Sequence, residues 1–241
     1  MKKRAEQWGS VTKLLSERMR RTAALVTRGN RTADIGCDHA YTSIYLVQQG
    51  IAPRVVAMDI NAGPLARAKE NVVKFGLEER IELRQSDGLS ALAPSEAETV
   101  LIAGMGGPLT ERILTAFPKT LASIKELVLQ PQSETEGVRR FLHRAGFRIA
   151  AEDMVSEDGK YYVMLRAEHG KETPWSEEEY LYGKLLIAAG TPVLKEYLET
   201  ERCKTEELLR ELETFETEKA RKRRDELLLR LERNLCAAKK L

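Results

Sequence analysis

The residues with the clearest chemical potential lie in the run Ala33-Asp34-Ile35-Gly36-Cys37-Asp38-His39-Ala40-Tyr41. A glycine at the end of an apolar strand pattern lets a ligand approach the backbone, and a helix starting beyond it offers free N–H groups. A nicotinamide-binding fold would need glycines spaced GxGxxG, so that the backbone could cradle a pyrophosphate. Only Gly36 is present here, and Asp34 and Asp38 flank it. Carboxylates repel phosphate but suit a ligand with an ammonium and a sulfonium, the combination found in S-adenosyl-L-methionine. The plainer reading of the same residues is a tight strand–helix turn with surface acids.

Further groups follow at the ends of later apolar runs. Asp59 stands about twenty residues beyond the glycine turn, where an acid can hydrogen-bond ribose hydroxyls. Ser86-Asp87-Gly88 is either a contact to an adenine amino group or an Asx turn. Ala103-Gly104-Met105-Gly106-Gly107-Pro108 leaves room for a flat ligand against the backbone. Gln130-Pro131-Gln132 places amide donors and acceptors beside it, where a substrate base could sit. No Ser-His-Asp constellation or metal-ligand spacing is present, which argues against hydrolase and metalloenzyme chemistry.

The elements that must position these groups alternate in type. Thr32–Gly36, Arg54–Ile60, Ile81–Arg84, Thr99–Gly104 and Glu126–Gln130 read as strands. Gly63–Lys74 and Glu134–Ala145 read as helices between and after them. Such alternation predicts a parallel sheet covered by helices. Phe147–Met154 and Tyr161–Arg166, around the turn signal Glu157-Asp158-Gly159, add a terminal hairpin, as in class I methyltransferases. Ahead of the sheet, Val11–Val26 predicts one amphipathic helix with Arg18, Arg20 and Arg21 on its outer face.

Composition changes near Glu168-His169-Gly170, dividing the chain into an expected α/β domain over 1–168 and a helical domain over 169–241. In the latter, Leu194, Leu198, Leu208, Leu209, Leu212 and Phe215 line one segment, and Leu227, Leu228, Leu231 and Leu235 the next. Neither stripe is expected to stay exposed, which predicts an antiparallel, coiled-coil-like helical pair turning near Glu216–Ala220.

A 32% charged fraction with a net charge of only +2 means that any polyanion site must be a local patch. The densest is Lys219-Ala220-Arg221-Lys222-Arg223-Arg224; Arg28 and Arg31 add charge ahead of the first strand. Three scattered cysteines, Cys37, Cys203 and Cys236, form no disulfide framework. No apolar run approaches a membrane span, and none follows the basic Met1-Lys2-Lys3-Arg4. These features predict a soluble, cytoplasmic protein without metal, and a monomer.

The motifs together resemble those of a known family. Asp34-Ile35-Gly36-Cys37-Asp38-His39-Ala40-Tyr41 is similar to the D-I-G-S-D-H-A-Y signature of the TrmK family, bacterial tRNA methyltransferases that modify N1 of adenosine 22. Ile102-Ala103-Gly104-Met105-Gly106-Gly107 resembles its I-A-G-M-G-G, and Leu129-Gln130-Pro131-Gln132 its L-Q-P-N. Gly159-Lys160-Tyr161-Tyr162 and the helical C-terminal domain resemble it too. Cys37 replaces the usual Ser, and Gln132 the usual Asn.

The resemblance implies a class I methyltransferase fold, S-adenosyl-L-methionine as cofactor and tRNA as partner. It places Asp34, Gly36, Cys37, Asp38, Asp59, Asp87, Gly88 and Gly104 around the cofactor. Met105, Gly106, Gln130, Pro131 and Gln132 would hold a flipped base. Arg18, Arg21, Arg221, Lys222, Arg223 and Arg224 would meet RNA phosphates. Asp38 either acts near the methyl group or orients the cofactor, and His39 is either a stacking partner or structural. Adenine N1 is already unprotonated at neutral pH, so positioning, which can supply ~7–11 kcal/mol, carries most of the expected catalysis. Action on another RNA or a protein, or RNA binding on a methyltransferase fold without catalysis, are the alternatives the residues leave open.

Overall fold

The computed structural model describes residues 11–241; the basic segment at 1–4 lies outside them. Seven strands form one sheet in the order β3-β2-β1-β4-β5-β7-β6. They are β1 (Thr32–Ile35), β2 (Val55–Asp59), β3 (Ile81–Gln85), β4 (Thr99–Met105), β5 (Glu126–Pro131), β6 (Phe147–Glu157) and β7 (Lys160–His169). The first five are parallel, and β7 runs antiparallel to β5, with Glu126 opposite Glu168 and Leu129 opposite Leu165. This is the class I methyltransferase sheet with its terminal hairpin.

Burial explains the strand composition. Every residue of β1 and β5 is buried, as expected for central parallel strands covered on both faces. The order reverses between β1 and β4, so their carboxyl ends open onto the crevice where such sheets bind ligands. The hairpin strands run longer than the sequence pattern suggests, because β6 and β7 continue past their alternating cores to the turn at Asp158 and Gly159.

The N-terminal segment departs from expectation. In place of one helix over Val11–Val26, a 3-10 turn at Val11–Leu14 is followed by α1 (Glu17–Ala24). Ser16 separates them: its Oγ accepts from the Met19 N–H at 3.3 Å and caps the second helix. The expected basic outer face is largely taken up by contacts within the protein. Arg21 holds Asp153 of β6 through two hydrogen bonds of 2.5 and 2.6 Å, Arg20 pairs with Glu17, and Arg18 turns inward. The chain leaving α1 is fastened to the sheet by the buried Glu126 carboxylate, which accepts from Thr27 N (2.8 Å), Thr27 Oγ1 (2.6 Å) and Thr99 Oγ1 (2.7 Å).

Two compact units result. One comprises the residues through Glu157 with Tyr162–Glu172, the other Asp158–Tyr161 with Thr173–Leu241. The division falls between Glu172 and Thr173 rather than after 168, since β7 runs to His169 and Glu172 pairs with His143 of the first unit.

In the second unit, α7 (Glu177–Tyr182) and α8 (Lys184–Ala189) precede the long helices α9 (Pro192–Leu212) and α10 (Glu218–Lys239). Leu198 lies by Asn234 and Glu201 by Arg230, so the long pair is antiparallel. Thr217 caps α10, accepting from Ala220 N at 3.2 Å. That hydroxyl, rather than a glycine or proline, marks the turn. The Glu201 carboxylate gathers Tyr182 Oη (2.5 Å), Asn234 Nδ2 (3.0 Å) and Arg230 at one level of the pair. Leu194, Leu198 and Leu227 are buried, but Leu208, Phe215, Leu228 and Leu235 are exposed, contrary to the expected burial of both stripes. Two helices alone can cover only a narrow seam.

One ion pair in the first unit stands out by its burial. In α6 (Thr135–Arg144), Arg139 meets Glu152 of β6 at 2.8 Å, with side chains 1% and 0% exposed. Glu152→Gln should lower unfolding free energy by about 3–5 kcal/mol, since it removes one charge of a buried ion pair. Replacing both by apolar residues (Arg139→Met with Glu152→Leu) should cost much less. Denaturant melts of the three chains test this; equal losses in both variants would contradict it.

Candidate active site

The site grows from a sharp turn after β1. The N–H groups of Gly36 and Cys37 both donate to the Met58 carbonyl, at 2.8 and 2.9 Å. The chain then passes through Gly36 at φ +72°, Asp38 at +48° and Ala40 at +59° before α2 (Tyr41–Gln48) begins. Left-handed backbone at Gly36 favours glycine, and a Cβ there would also collide with Met105 Cε. The methionine that ends β4 and the glycine after β1 are therefore packed on one another.

Asp34, 3% exposed, points to α2, where Ser43 Oγ donates to it at 2.6 Å. Burial pushes its carboxyl up to about 6, against the lowering effect of the Ser43 bond, and Asp59 raises it further. Asp59 closes the neighbouring loop: its oxygens accept from Asp38 N (3.2 Å) and Asn61 N (2.9 Å), and its carbonyl from Ser86 N (2.9 Å). Burial, then the nearby Asp34 and Asp59, push the Cys37 thiol up as well. Cys37 is thus a protonated packing residue at neutral pH.

These residues line a cleft of about 430 Å³. Its walls include Asp34, Gly36, Cys37, Asp38, His39, Ala103 and Gly104. Leu14, Leu15, Ser16, Arg18 and Met19 from the N-terminal segment complete it. The sequence gives no local signal that this segment belongs to the site, apart from its amphipathic pattern. Asp38 is largely exposed with His39 Nε2 3.4 Å away, and the His39 carbonyl accepts from Asn71 Nδ2 at 3.0 Å. Asp87 and Gly88 lie in the loop that Ser86 ties to Asp59; Asp87 is exposed, while Gly88 is buried against Ile113.

The Gly-rich loop after β4 divides its work. Gly104, at φ +80°, has only Gln132 Nε2 near its Cβ position, at 3.7 Å. At Gly107 a Cβ would meet the carbonyl oxygens of Ser133 and Glu134 at 2.8 and 3.0 Å. That glycine lets two loops touch; Gly106 is also crowded, with Ser133 Oγ 3.1 Å from its Cβ position, and the open, exposed position is Gly104.

Gln130 and Pro131 are buried and Gln132 is exposed. Gln130 Oε1 accepts from Arg18 Nη1 at 2.5 Å and from Gly104 N at 3.2 Å, and Nε2 donates to the Pro131 carbonyl at 3.2 Å. Its amide is committed within the protein, which leaves Gln132 as the outward-facing amide of the pair. The Arg18 guanidinium lies 4.9 Å above the Tyr162 ring, so that tyrosine joins the site through β7. Arg221, Lys222, Arg223 and Arg224 belong to the second unit, at the start of α10; the first three are exposed, and Arg223 pairs with Glu226 at 2.9 Å. No three His, Cys, Asp or Glu side chains among the described residues are grouped to hold a metal ion.

This geometry has counterparts among known proteins. The TrmK family model, described as tRNA (adenine(22)-N(1))-methyltransferase, matches residues 32–234. A tRNA (adenine(22)-N(1))-methyltransferase of Bacillus subtilis is 36% identical over 176 residues, 73% of this chain and 71% of the relative. The crystal structure of the B. subtilis m1A22 tRNA methyltransferase TrmK superposes with a TM-score of 0.84 at 32% identity, covering 92% of this chain and 98% of the other. TrmK of M. capricolum, solved with the cofactor product S-adenosyl-homocysteine, superposes with a TM-score of 0.77 at 26% identity, covering 94% and 98%. With its sheet order, its turn after β1 and its Gly-rich loop after β4 all in place, the chain belongs to the TrmK family of tRNA (adenine(22)-N(1))-methyltransferases.

Proposed function

We propose that the cleft above β1 and β4 holds S-adenosyl-L-methionine and that the face beside Gly104 presents adenine N1 of tRNA nucleoside 22 to it, in the cytoplasm. The observation that carries this reading is the cleft itself: a glycine turn in left-handed backbone, walled by Asp34 and Asp38 and joined to Asp59 through the Asp38 amide. Two carboxylates on the walls fit a cationic ligand and disfavour a pyrophosphate. When bound, S-adenosyl-L-methionine supplies a methyl group made electrophilic by its sulfonium.

The chain's residues divide the remaining tasks. Asp34, Gly36, Cys37, Asp38 and Gly104 surround the ligand, Asp59 faces its ribose, and Asp87 with Gly88 closes the adenine end. Met105, Gly106, Pro131 and Gln132 border the place for the flipped base, with Gln132 the amide free to read it. Asp38, exposed and beside His39, is the carboxylate placed to stabilise the positive charge that methylation leaves on the ring. Arg221, Lys222, Arg223 and Arg224 stand in the second unit as phosphate contacts.

The deciding measurement is nucleoside mapping of tRNA incubated with this protein and S-adenosyl-L-methionine. N1-methyladenosine at position 22 is expected; methylation elsewhere, or none, would refute the proposal.

The buried Asp34 gives a pH signature. Its carboxyl titrates at about 6 in the folded chain, and a cationic ligand favours the ionised form. Affinity should therefore be full above about pH 7 and fall as pH drops through 6, approaching tenfold per unit well below the titration point. Asp34→Asn should bind weakly with a flat profile. A parent profile that is flat between pH 5 and 7 would remove Asp34 from the cofactor site.

Neutralising Arg221, Lys222, Arg223 and Arg224 together should weaken tRNA binding and reduce its log–log salt slope by up to about 3.6, each phosphate contact being worth roughly 0.9 on duplex. The affinity for S-adenosyl-L-methionine should stay unchanged. Superimposable salt titrations of parent and variant would mean that the cluster is a solvated helix face.

A further inference from the structure

Arg18 differs from its neighbours. Arg20 and Arg21, on the same helix, each hold a carboxylate. Arg18 holds none: its guanidinium has a single hydrogen bond, from Nη1 to the neutral Gln130 amide, and one face over Tyr162. It is half-buried, and among the described residues it is the only lysine or arginine that walls the cleft. The same wall carries Asp34 and Asp38. The cleft is thus zwitterionic, two carboxylates with one guanidinium.

The amino-acid end of S-adenosyl-L-methionine is also a zwitterion. Its ammonium suits the aspartates, but its carboxylate would be repelled by them and needs a cation. We infer that Arg18 reads that carboxylate, and that Gln130 is a positioning residue which, with Tyr162, fixes the plane of the guanidinium. The inference rests on S-adenosyl-L-methionine occupying the cleft.

The arrangement accounts for two features of the sequence together. Gln130 is fully buried, and its Oε1 is shared by Arg18 and the Gly104 amide, so it locks the N-terminal helix and the end of β4 to one atom. A neutral acceptor is the type required: it orients the guanidinium without cancelling its charge. Glutamate there would pair with Arg18 and compete with a ligand carboxylate. A planar guanidinium can also offer two parallel N–H groups to a carboxylate, which lysine cannot.

The assignment predicts a selective loss. S-adenosyl-L-methionine and S-adenosylhomocysteine carry the amino-acid end, whereas 5′-methylthioadenosine lacks it. By calorimetry on the full chain, Arg18→Ala should lower affinity for the first two by about ten- to a hundredfold, the range for a charge-assisted hydrogen bond. Binding of 5′-methylthioadenosine should stay within about twofold of the parent. Arg18→Lys should recover part of the loss, and Gln130→Glu should show the same selectivity as Arg18→Ala.

Circular dichroism controls for folding, and Arg18→Ala, at a half-buried position, tests the inference independently of the buried Gln130 site. Equal affinity of parent and Arg18→Ala for S-adenosyl-L-methionine would overturn the inference and assign the carboxylate to the N–H groups at the start of α2. Weakened tRNA binding with unchanged small-ligand affinities would overturn it in favour of a phosphate contact. A parent that binds none of the three ligands would instead refute the cofactor reading on which the inference stands.

Discussion

The amides of Gly36 and Cys37 converge on the single carbonyl of Met58, and the other loops of the site are built outward from that junction. Two donors on one acceptor hold the end of β1 against the end of β2 and force the chain into left-handed backbone at Gly36. The absence of a side chain there admits Met105 from β4. Asp59, one residue beyond the shared carbonyl, then captures the Asp38 amide and fixes the second loop. Three strand ends are thereby brought into register by backbone groups and one carboxylate, before any ligand is considered.

Charge is distributed around this junction with little redundancy. Asp34 is buried deeply enough to titrate at about 6, a cost the fold accepts for a carboxylate at the base of the cleft. Cys37 sits in the same environment, where burial and the neighbouring carboxylates keep its thiol protonated, so it packs the turn without acting as a nucleophile. Toward the sheet's amino end, Glu126 answers three donors. It secures the chain that leads out of α1, and so steadies the segment bearing Arg18.

The parts of this structure that were legible in sequence are those set by near neighbours. Asp34 to Tyr41 announces a turn because strand, glycine and helix start lie within eight residues, and each strand of the sheet shows its own apolar run. What escaped was set by distant partners. Arg18 reads as one of three arginines on a helix face, and only its meeting with Gln130, 112 positions away, separates it from the paired Arg20 and Arg21. Gln130 and Gln132 are the same residue type two positions apart. Which of them is consumed inside the protein depends on Gly104 and Arg18, and the local pattern does not contain that choice. Leucine stripes likewise reveal a helical pair without revealing which half is covered; Leu208 and Leu228 lie beyond the covered seam.

The polar knot around Glu201 has a consequence for the helical unit. Hydrophobic seams tolerate sliding, whereas Asn234 and Arg230 can reach Glu201 in only one alignment of α9 and α10. The knot therefore sets the phase of α10, and with it the direction in which Arg221 to Arg224 project from the helix, roughly 15–20 Å along it from Asn234 at 1.5 Å per residue. A single residue inserted between Arg224 and Arg230 would swing the cluster by about 100° around the axis without changing its charge. Seven would restore its bearing and displace it by about 10 Å. The helix works as a graduated shaft, on which the number of residues between knot and cluster sets angle and reach together.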